Sequence, residues 1–223
     1  INIDVGEVVV LTHRLQLVER LLQRTVVPET SVGERLDWLD ESVAAVRALL
    51  DGKSVTSPAG GHYHFSDLKH APLPIQKHLP IMIGGNGRTK TLLTLAKYGD
   101  MWNGFGDPNT LKELDGFLKE HCKAVGRNEK EIARTANIWM VIRDTEEEAR
   151  AVWEAQAKHN KVDVKEITEP NRPMLGTPQH VATQLRAYMD AGIDTALVEL
   201  PAPYDHQTIE RLMLEVKPLV EAP

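Results

Sequence analysis

The feature that most constrains the fold is an alternation of short apolar segments with helical patterns. Strand-like segments are predicted at residues 81–84, 100–103, 135–142 and 195–200. Helical patterns follow them at about residues 88–98, 108–125, 146–159 and 206–220. A further helix is predicted with Thr177 as its N-cap and Pro178 at its first position, and Gly192 ends it. Strands that alternate with helices of this length indicate βα units and a parallel sheet, with right-handed connections. The residues alone predict an α/β protein, either a barrel or an open doubly wound sheet.

A further helix is predicted ahead of this alternation, from Gly33 to Gly52, where apolar residues recur every three or four positions. Ser31 is its predicted N-cap, with Glu34 three residues later, and Gly52 is a natural stop. Residues 53–80 are rich in Gly, Pro and His. They predict a long excursion with a small hairpin, not a second domain.

The bulk properties narrow the class of protein. The formal net charge is -6, which gives a general nucleic-acid-binding role no electrostatic support. No apolar run approaches the roughly 20 residues of a membrane span, and the first residues lack the pattern of a secretory signal. The single cysteine, Cys122, excludes an internal disulfide and a Cys-rich metal cluster. We therefore expect a cytoplasmic protein with neither nucleic-acid nor membrane partners.

Several segments occur in an order and at a spacing typical of one enzyme family. They are residues 32–36, 71–76, 79–87, 96–103 and 121–127, and then Leu175–Pro178 followed by Ala191–Asp194. Together they resemble the luciferase-like monooxygenase family, and residues 121–127 are similar to members that use the deazaflavin coenzyme F-420. The resemblance implies an α/β fold of the (β/α)8 TIM barrel type.

The resemblance also bears on domain organisation. It implies one luciferase-like barrel domain over residues 1–223, with residues 32–220 matched and residues 1–31 poorly matched. Members are usually longer, and 31 residues cannot build the first half of an eight-stranded barrel. We therefore expect a barrel that is incomplete at its N-terminal end, because the chain is truncated or represents only the ordered pieces of a longer protein. A naturally shortened flavoprotein is the alternative.

A glycine-rich loop is the main candidate site. It contains Gly84, Gly85, Asn86, Gly87, Arg88 and Thr89. Glycines let a ligand approach the backbone closely, and N–H groups at the start of the following helix attract anions. In barrels, phosphates commonly bind at the C-terminal ends of strands. The resemblance implies that the loop holds the phosphate of coenzyme F-420 or, alternatively, FMN, with the N–H groups of Gly84, Gly85 and Gly87 around it. A tight turn without a ligand is the other interpretation.

Other polar and aromatic side chains are candidates for the reaction itself. Asp100, Trp102 and Asn103 are predicted to end a strand on the active-site side, where Trp102 and Asn103 would line the substrate pocket. A buried structural tryptophan is the alternative for Trp102. His13 is the only histidine in the N-terminal part. Its neutral imidazole could transfer a proton near pH 7, whereas a surface histidine is the alternative.

The histidines of the excursion raise the question of a metal site. His62, His64, His70 and His78 lie close together in sequence, and His62 and His64 would share a face of a strand. No carboxylate stands at a diagnostic spacing from them, so we predict no metal site.

The resemblance implies an oxidoreductase that moves a hydride between a bound deazaflavin or flavin and a small organic substrate. Coenzyme F-420 is the expected cofactor, and FMN is the alternative. We also expect a homodimer, since barrels with exposed surfaces often associate. The alternative functions are an FMN-dependent monooxygenase, a non-catalytic flavin-binding degenerate barrel, and a phosphate-binding barrel of unrelated chemistry.

Overall fold

The computed structural model describes residues 9–10, 30–164 and 173–221. Their contacts divide them into two compact units. The N-terminal unit comprises residues 9–10, 30–103 and 114–133, and the C-terminal unit comprises residues 104–113, 134–164 and 173–221. A single domain over residues 1–223 stays a prediction.

Helices and parallel strands alternate along the chain. The elements are β1 (Val9–Val10), α1 (Val32–Leu50), β2 (Ile81–Gly84), α2 (Thr91–Tyr98), β3 (Met101–Gly104), α3 (Pro108–Val125), a 3-10 turn (Glu129–Glu131), β4 (Ala133–Ile142), α4 (Glu146–His159), β5 (Met174–Gly176), α5 (Pro178–Asp190), β6 (Thr195–Glu199), α6 (His206–Arg211), a π-helical turn (Leu212–Val216) and α7 (Lys217–Glu221). In the N-terminal unit β2 pairs in parallel with both β1 and β3. In the C-terminal unit β4 pairs in parallel with both β5 and β6.

The structure confirms the predicted alternation and corrects some of its boundaries. All four predicted strands are present within one or two residues, and α3 and α4 have the predicted bounds. The helix expected from Arg88 begins at Thr91, because residues 88–90 form turns. The last helix is interrupted by the π-helical turn. The three-residue strand β5 was not predicted, since so short an apolar segment carries no periodicity.

Helix α1 begins as its sequence predicts. Ser31 Oγ accepts a hydrogen bond from the backbone N–H of Glu34 at 3.2 Å, and the backbone N–H of Ser31 donates to Glu34 Oε2 at 2.9 Å. This reciprocal pair is the predicted capping box. Beyond the end of the helix, Gly52 has φ +75°, a conformation that glycine adopts without strain.

The excursion after α1 contains the predicted hairpin in a minimal form. Val55 and Leu68 form an antiparallel bridge, and this bridge closes the loop of residues 56–67 that lies between them. Glu41 of α1 ties this loop to the helix, because its carboxylate accepts the backbone N–H groups of His62 at 2.9 Å and Tyr63 at 3.1 Å. The bridge therefore closes the excursion on itself, and the carboxylate of Glu41 attaches it to α1.

Strand β4 carries apolar side chains on both of its faces. Val141 packs with Ala149 and Trp153 of α4 in one buried cluster, beside the partly buried Trp139. Met140, which points to the other face, lines a small apolar cavity with residues of α5 and of the C-terminal helices. Helices therefore cover both faces of this strand.

Within the described ranges, none of the helices has the length and apolar character needed to cross a bilayer.

Candidate functional site

The glycine loop follows the C-terminal end of β2, and hydrogen bonds hold it against β3. The N–H of Gly85 donates to the carbonyl of Asn103 at 3.0 Å, and the indole N–H of Trp102 donates to the carbonyl of Gly85 at 3.0 Å. The prediction that the N–H of Gly85 surrounds an anion with those of Gly84 and Gly87 is therefore wrong for Gly85. A backbone carbonyl group of the neighbouring parallel strand β3 already accepts this N–H.

Two glycines of the loop are required by packing on Thr91. Gly85 has φ +126°, and a Cβ built there would lie 3.3 Å from Thr91 Cγ2. A Cβ at Gly87 would overlap Thr91 Oγ1. Thr91 is 6% exposed and cannot move away freely. The loop thus needs glycines for its own close packing, in addition to any need of a ligand.

Two cationic side chains, Arg88 in the loop and Lys90 just after it, contact neighbouring side chains. The Arg88 guanidinium lies 5.2 Å from the centre of the Phe117 ring, in cation–π geometry. The carbonyl oxygen of Arg88 lies 2.7 Å from His121 Nε2. Lys90 forms an ion pair with Asp37 at 2.5 Å. His121 opens the segment that resembles F-420-dependent enzymes, and the structure shows that this segment supports the loop.

The loop suits a phosphate group in its charge and in its backbone. Between Gly84 and Thr91 there are two basic residues, Arg88 and Lys90, and no acidic one, although the charge of Lys90 is paired with Asp37. No side chain caps the first turn of α2, although the N–H of Leu92 in this turn already donates to the carbonyl of Gly87 at 3.0 Å. Asn86 is half-buried, and Arg88 and Thr89 are exposed. The residues present therefore fit an anion at this end of β2.

Trp102 and Asn103 lie on β3 directly beside the loop. Trp102 is completely buried, and Asn103 is 4% exposed. Trp102 therefore has the structural role that was the alternative interpretation, because its N–H positions Gly85. Contact of either side chain with a substrate stays a prediction.

Asp100 was placed at the wrong end of its strand. It precedes β3, whereas the active-site side of a βα unit is the C-terminal end. Its carboxylate lies 3.1 Å from Arg47 Nη1 and 2.9 Å from His78 Nε2. It also accepts the backbone N–H of Ile81 at 2.8 Å and lies 3.6 Å from Arg127 Nη2. Asp100 therefore joins α1, β2, β3 and the segment after α3, and serves stability.

The predicted histidine roles have different outcomes. His13 lies outside the described residues. His62 and His64 do not lie on a strand, so the shared strand face predicted for them is wrong. His62 instead stacks on Trp38, with ring centres 3.7 Å apart. In the part of the chain that the structure describes, no group of three or more side chains is arranged to hold a metal ion.

A buried polar network at the C-terminal end of β4 was missed by sequence reasoning. Asp205 caps α6 and binds Arg143 Nη2 at 2.9 Å and the hydroxyl of Thr208 at 2.6 Å. The same hydroxyl accepts the backbone N–H of Ile142 at 3.0 Å. Aspartate is a preferred N-cap residue, so Asp205 is a recognisable helix start. The approach of Arg143, 62 residues away in sequence, leaves no local signal.

The network sets the pKa of Asp205 and gives a pH-dependent stability. Burial raises the pKa of this carboxyl, but the hydrogen bonds from Arg143 and Thr208 together outweigh it, so the pKa lies below its ordinary value. A lowered folded-state pKa stabilises the protein above the unfolded-state value of about 3.9, and this contribution is lost as the pH falls through the folded-state pKa.

We therefore expect Asp205→Asn to reduce the fall in stability on acidification. Urea unfolding at pH 7 and at about pH 3 should show a smaller difference for the variant than for the wild type. Asp144→Asn is the matched control, because Asp144 pairs with Arg211 while 81% exposed. An Asp205→Asn profile parallel to the wild-type profile would contradict the expectation.

Comparison with known proteins identifies the family. The family model of the luciferase-like monooxygenases matches residues 23–195. The chain therefore belongs to the luciferase-like monooxygenase family, as the resemblance in sequence predicted. Among curated proteins, no match was found.

Solved structures show the same fold. An F420-dependent secondary alcohol dehydrogenase in complex with an F420-acetone adduct matches with a TM-score of 0.73 and 21% identity, over 89% of this chain and 66% of that chain. A coenzyme F420-dependent tetrahydromethanopterin reductase from Methanopyrus kandleri matches with a TM-score of 0.66 and 16% identity, over 83% of this chain and 64% of that chain. A riboflavin lyase with modified FMN and riboflavin matches with a TM-score of 0.67 and 16% identity, over 91% and 60%.

These matches confirm the predicted α/β fold class and its luciferase-like barrel type. The chain spans somewhat less than two thirds of the length of these structures. At identities of 21% and below, the likeness concerns the fold.

Proposed function

We propose that this chain binds coenzyme F-420 and acts in an oxidoreductase that transfers a hydride between this cofactor and a small organic substrate. The observation that carries the proposal is the glycine loop, which lies at the C-terminal end of β2 and leads into a helix without a side-chain cap. Phosphate groups bind at such positions in barrels and at helix starts. Membership of the luciferase-like family and the F420-dependent enzymes among structures of the same fold support the choice of cofactor.

The roles of the residues follow from their positions. The backbone of the loop, with Asn86, Arg88 and Thr89, would hold the phosphate. Trp102 and Asn103 fix the loop on β3, and we propose that this end of β3 borders the substrate pocket. His13 is proposed as the group that exchanges a proton with the substrate. The cofactor supplies the hydride chemistry, while the protein binds and orients it.

FMN is the second candidate cofactor, because structures of the same fold include a riboflavin lyase with modified FMN and three monooxygenases. The F-420 proposal rests additionally on the segment from His121 to Arg127, which resembles deazaflavin-dependent members. His121 contacts the carbonyl of Arg88, so that segment is part of the support of the loop. An FMN-dependent monooxygenase is therefore the alternative function.

Fluorescence titration should distinguish the two cofactors. We expect F-420 to bind more tightly than FMN. We also expect riboflavin, which lacks the phosphate of FMN, to bind about tenfold to a hundredfold more weakly than FMN, which corresponds to losing one or two charge-assisted hydrogen bonds. Tighter binding of FMN would favour the monooxygenase. Equal affinity for FMN and riboflavin would place the phosphate away from the loop, and failure of both cofactors to bind would remove the proposal.

Turnover separates an enzyme from a non-catalytic flavin-binding barrel. A protein that binds F-420 should change the absorbance of the cofactor when it is mixed with a substrate. Small secondary alcohols are the first compounds to test, because one protein of the same fold is an F420-dependent secondary alcohol dehydrogenase. Binding without turnover over a broad panel of small alcohols, aldehydes and ketones would favour the non-catalytic alternative.

A further inference from the structure

The glycine loop enters α2 through a turn that is wider than the first turn of a regular α-helix. In an α-helix each backbone N–H donates to the carbonyl group four residues earlier, which for Leu92 is that of Arg88. The N–H of Leu92 instead donates to the carbonyl of Gly87, five residues earlier, at 3.0 Å. The Arg88 carbonyl therefore does not receive the hydrogen bond that a regular helix start would give it.

His121 of α3 takes the place of this helical donor. Its Nε2 lies 2.7 Å from the carbonyl oxygen of Arg88. A carbonyl oxygen can only accept a hydrogen bond, so Nε2 carries the hydrogen that is donated. Phe117 lies one helical turn before His121 on the same face of α3, and its ring centre is 5.2 Å from the Arg88 guanidinium. One face of α3 thus contacts both the backbone and the side chain of Arg88.

The residues on either side of Arg88 are attached to other elements of the N-terminal unit. The hydrogen bonds with Asn103 and Trp102 attach Gly85 to β3. Lys90 Nζ donates to the carbonyl of Gly33 in α1 at 3.0 Å. The contact with His121 therefore holds the middle of the loop, between these two attachments.

The far end of α2 is held by the same segment of the chain that begins at His121. Arg127 Nη1 donates to the carbonyl of Gly99, the residue after α2, at 2.5 Å. It also donates to the carbonyls of Leu95 and Ala96, at 3.4 Å each. Because Arg127 holds the C-terminal end of the helix, loss of the His121 contact should change the turn at its start and leave the helix in place.

We propose that His121 is a positioning residue, which holds the wide turn from Gly87 to Leu92 in the conformation that binds the cofactor phosphate. The inference rests on the proposed function, which places the phosphate at the loop. Without the imidazole, the N–H of Leu92 can bond to Arg88 as in a regular helix, and the loop then has to rearrange before the phosphate binds. A loop that is ordered in advance avoids this cost. His121 therefore raises the affinity of ligands that carry the phosphate and has little effect on ligands that lack it.

The test compares ligands with and without the phosphate on the full chain. The pairs are FMN with riboflavin, and F-420 with the deazariboflavin that lacks its phosphate. Fluorescence titration gives the phosphate preference of each protein, which is the Kd of the phosphate-free ligand divided by that of its partner. A loss of folding alone would weaken both members of a pair equally and would leave this ratio unchanged.

Three substitutions of His121 separate its hydrogen bond from its bulk. Leucine and, independently, alanine remove the donor, whereas glutamine keeps an N–H group at a similar distance from the backbone. His121→Leu and His121→Ala should lower the phosphate preference about threefold to tenfold, the effect of one neutral hydrogen bond. His121→Gln should keep it within about twofold of the wild-type value. His70→Leu is the matched control, since His70 is exposed in the excursion and should leave the preference unchanged.

The outcomes distinguish this inference from the proposed function. A wild-type preference for the phosphate that persists in His121→Leu or His121→Ala would overturn the inference alone. An equal loss in His121→Gln, or in the control, would also overturn it, because the effect would then not depend on the donated hydrogen bond. A wild-type protein that binds none of the four ligands, or shows no phosphate preference, would remove the proposed phosphate site and the inference with it.

Discussion

Replacement of Asp100 by alanine is expected to lower the free energy of unfolding by about 3 to 5 kcal/mol. The carboxylate is 17% exposed and lies between the guanidinium groups of Arg47 and Arg127, which are 13% and 18% exposed. Its removal leaves two largely buried cations without their shared counter-charge and also removes the acceptor of the Ile81 N–H. Equilibrium unfolding in urea measures the loss.

Glu131→Ala is the control for this prediction, because Glu131 pairs with the same Arg127 while 60% exposed. An exposed ion pair contributes roughly 0 to 1 kcal/mol, so the control should lose little stability. A similar small loss in both variants would mean that Asp100 does not join the surrounding elements as described.

Replacement of Gly85 by valine is expected to weaken cofactor binding by about 1 to 3 kcal/mol, or about tenfold to a hundredfold in Kd. The loop has to shift, because a side chain at φ +126° is strained and its Cβ would press on Thr91. The same strain should lower the free energy of unfolding by about 1 to 3 kcal/mol. Fluorescence titration with F-420 and FMN, and urea unfolding, measure the two effects.

Gly116→Val is the matched control, since a Cβ at this exposed position of α3 would meet nothing within 4 Å. Its cofactor affinity should equal that of the wild type. If a folded Gly85→Val protein bound the cofactor as tightly as the control does, the phosphate would bind outside the glycine loop.

The elements that the sequence predicts well are those with signals at their own ends. Ser31 with Glu34, and Thr177 with Pro178, mark helix starts by local hydrogen bonding and by the fixed φ of proline, and both starts were confirmed. The apolar run from Ile81 ends at Gly84, so β2 was predicted with its exact bounds. Local chemistry suffices in these cases.

The features that were missed or misplaced depend on contacts distant in sequence. Asp100 lies one residue before β3, and no pattern reveals that Arg47, 53 residues earlier, meets it there. The N–H of Gly85 looked free because its partner, the carbonyl of Asn103, lies on another strand. His62 follows an alternating pattern but stacks on Trp38 of a helix. Sequence periodicity describes a single element, whereas these positions are determined by pairs of elements.

The way in which the excursion after α1 is attached affects which residue types this segment can tolerate. Glu41 holds this loop through backbone N–H groups, and the bridge between Val55 and Leu68 is also a backbone contact. Backbone groups are the same in nearly every residue type, so these attachments place few demands on the side chains between them. Gly61, His62, Thr56 and Ser57 are exceptions. A Cβ at Gly61 would press on the Glu41 carboxylate, and the ring of His62 stacks on Trp38. The hydroxyls of Thr56 and Ser57 accept the backbone N–H groups of Asp67 and Phe65. The excursion can therefore acquire new side chains, and with them new surface properties, while β2 and the loop that follows it remain unchanged.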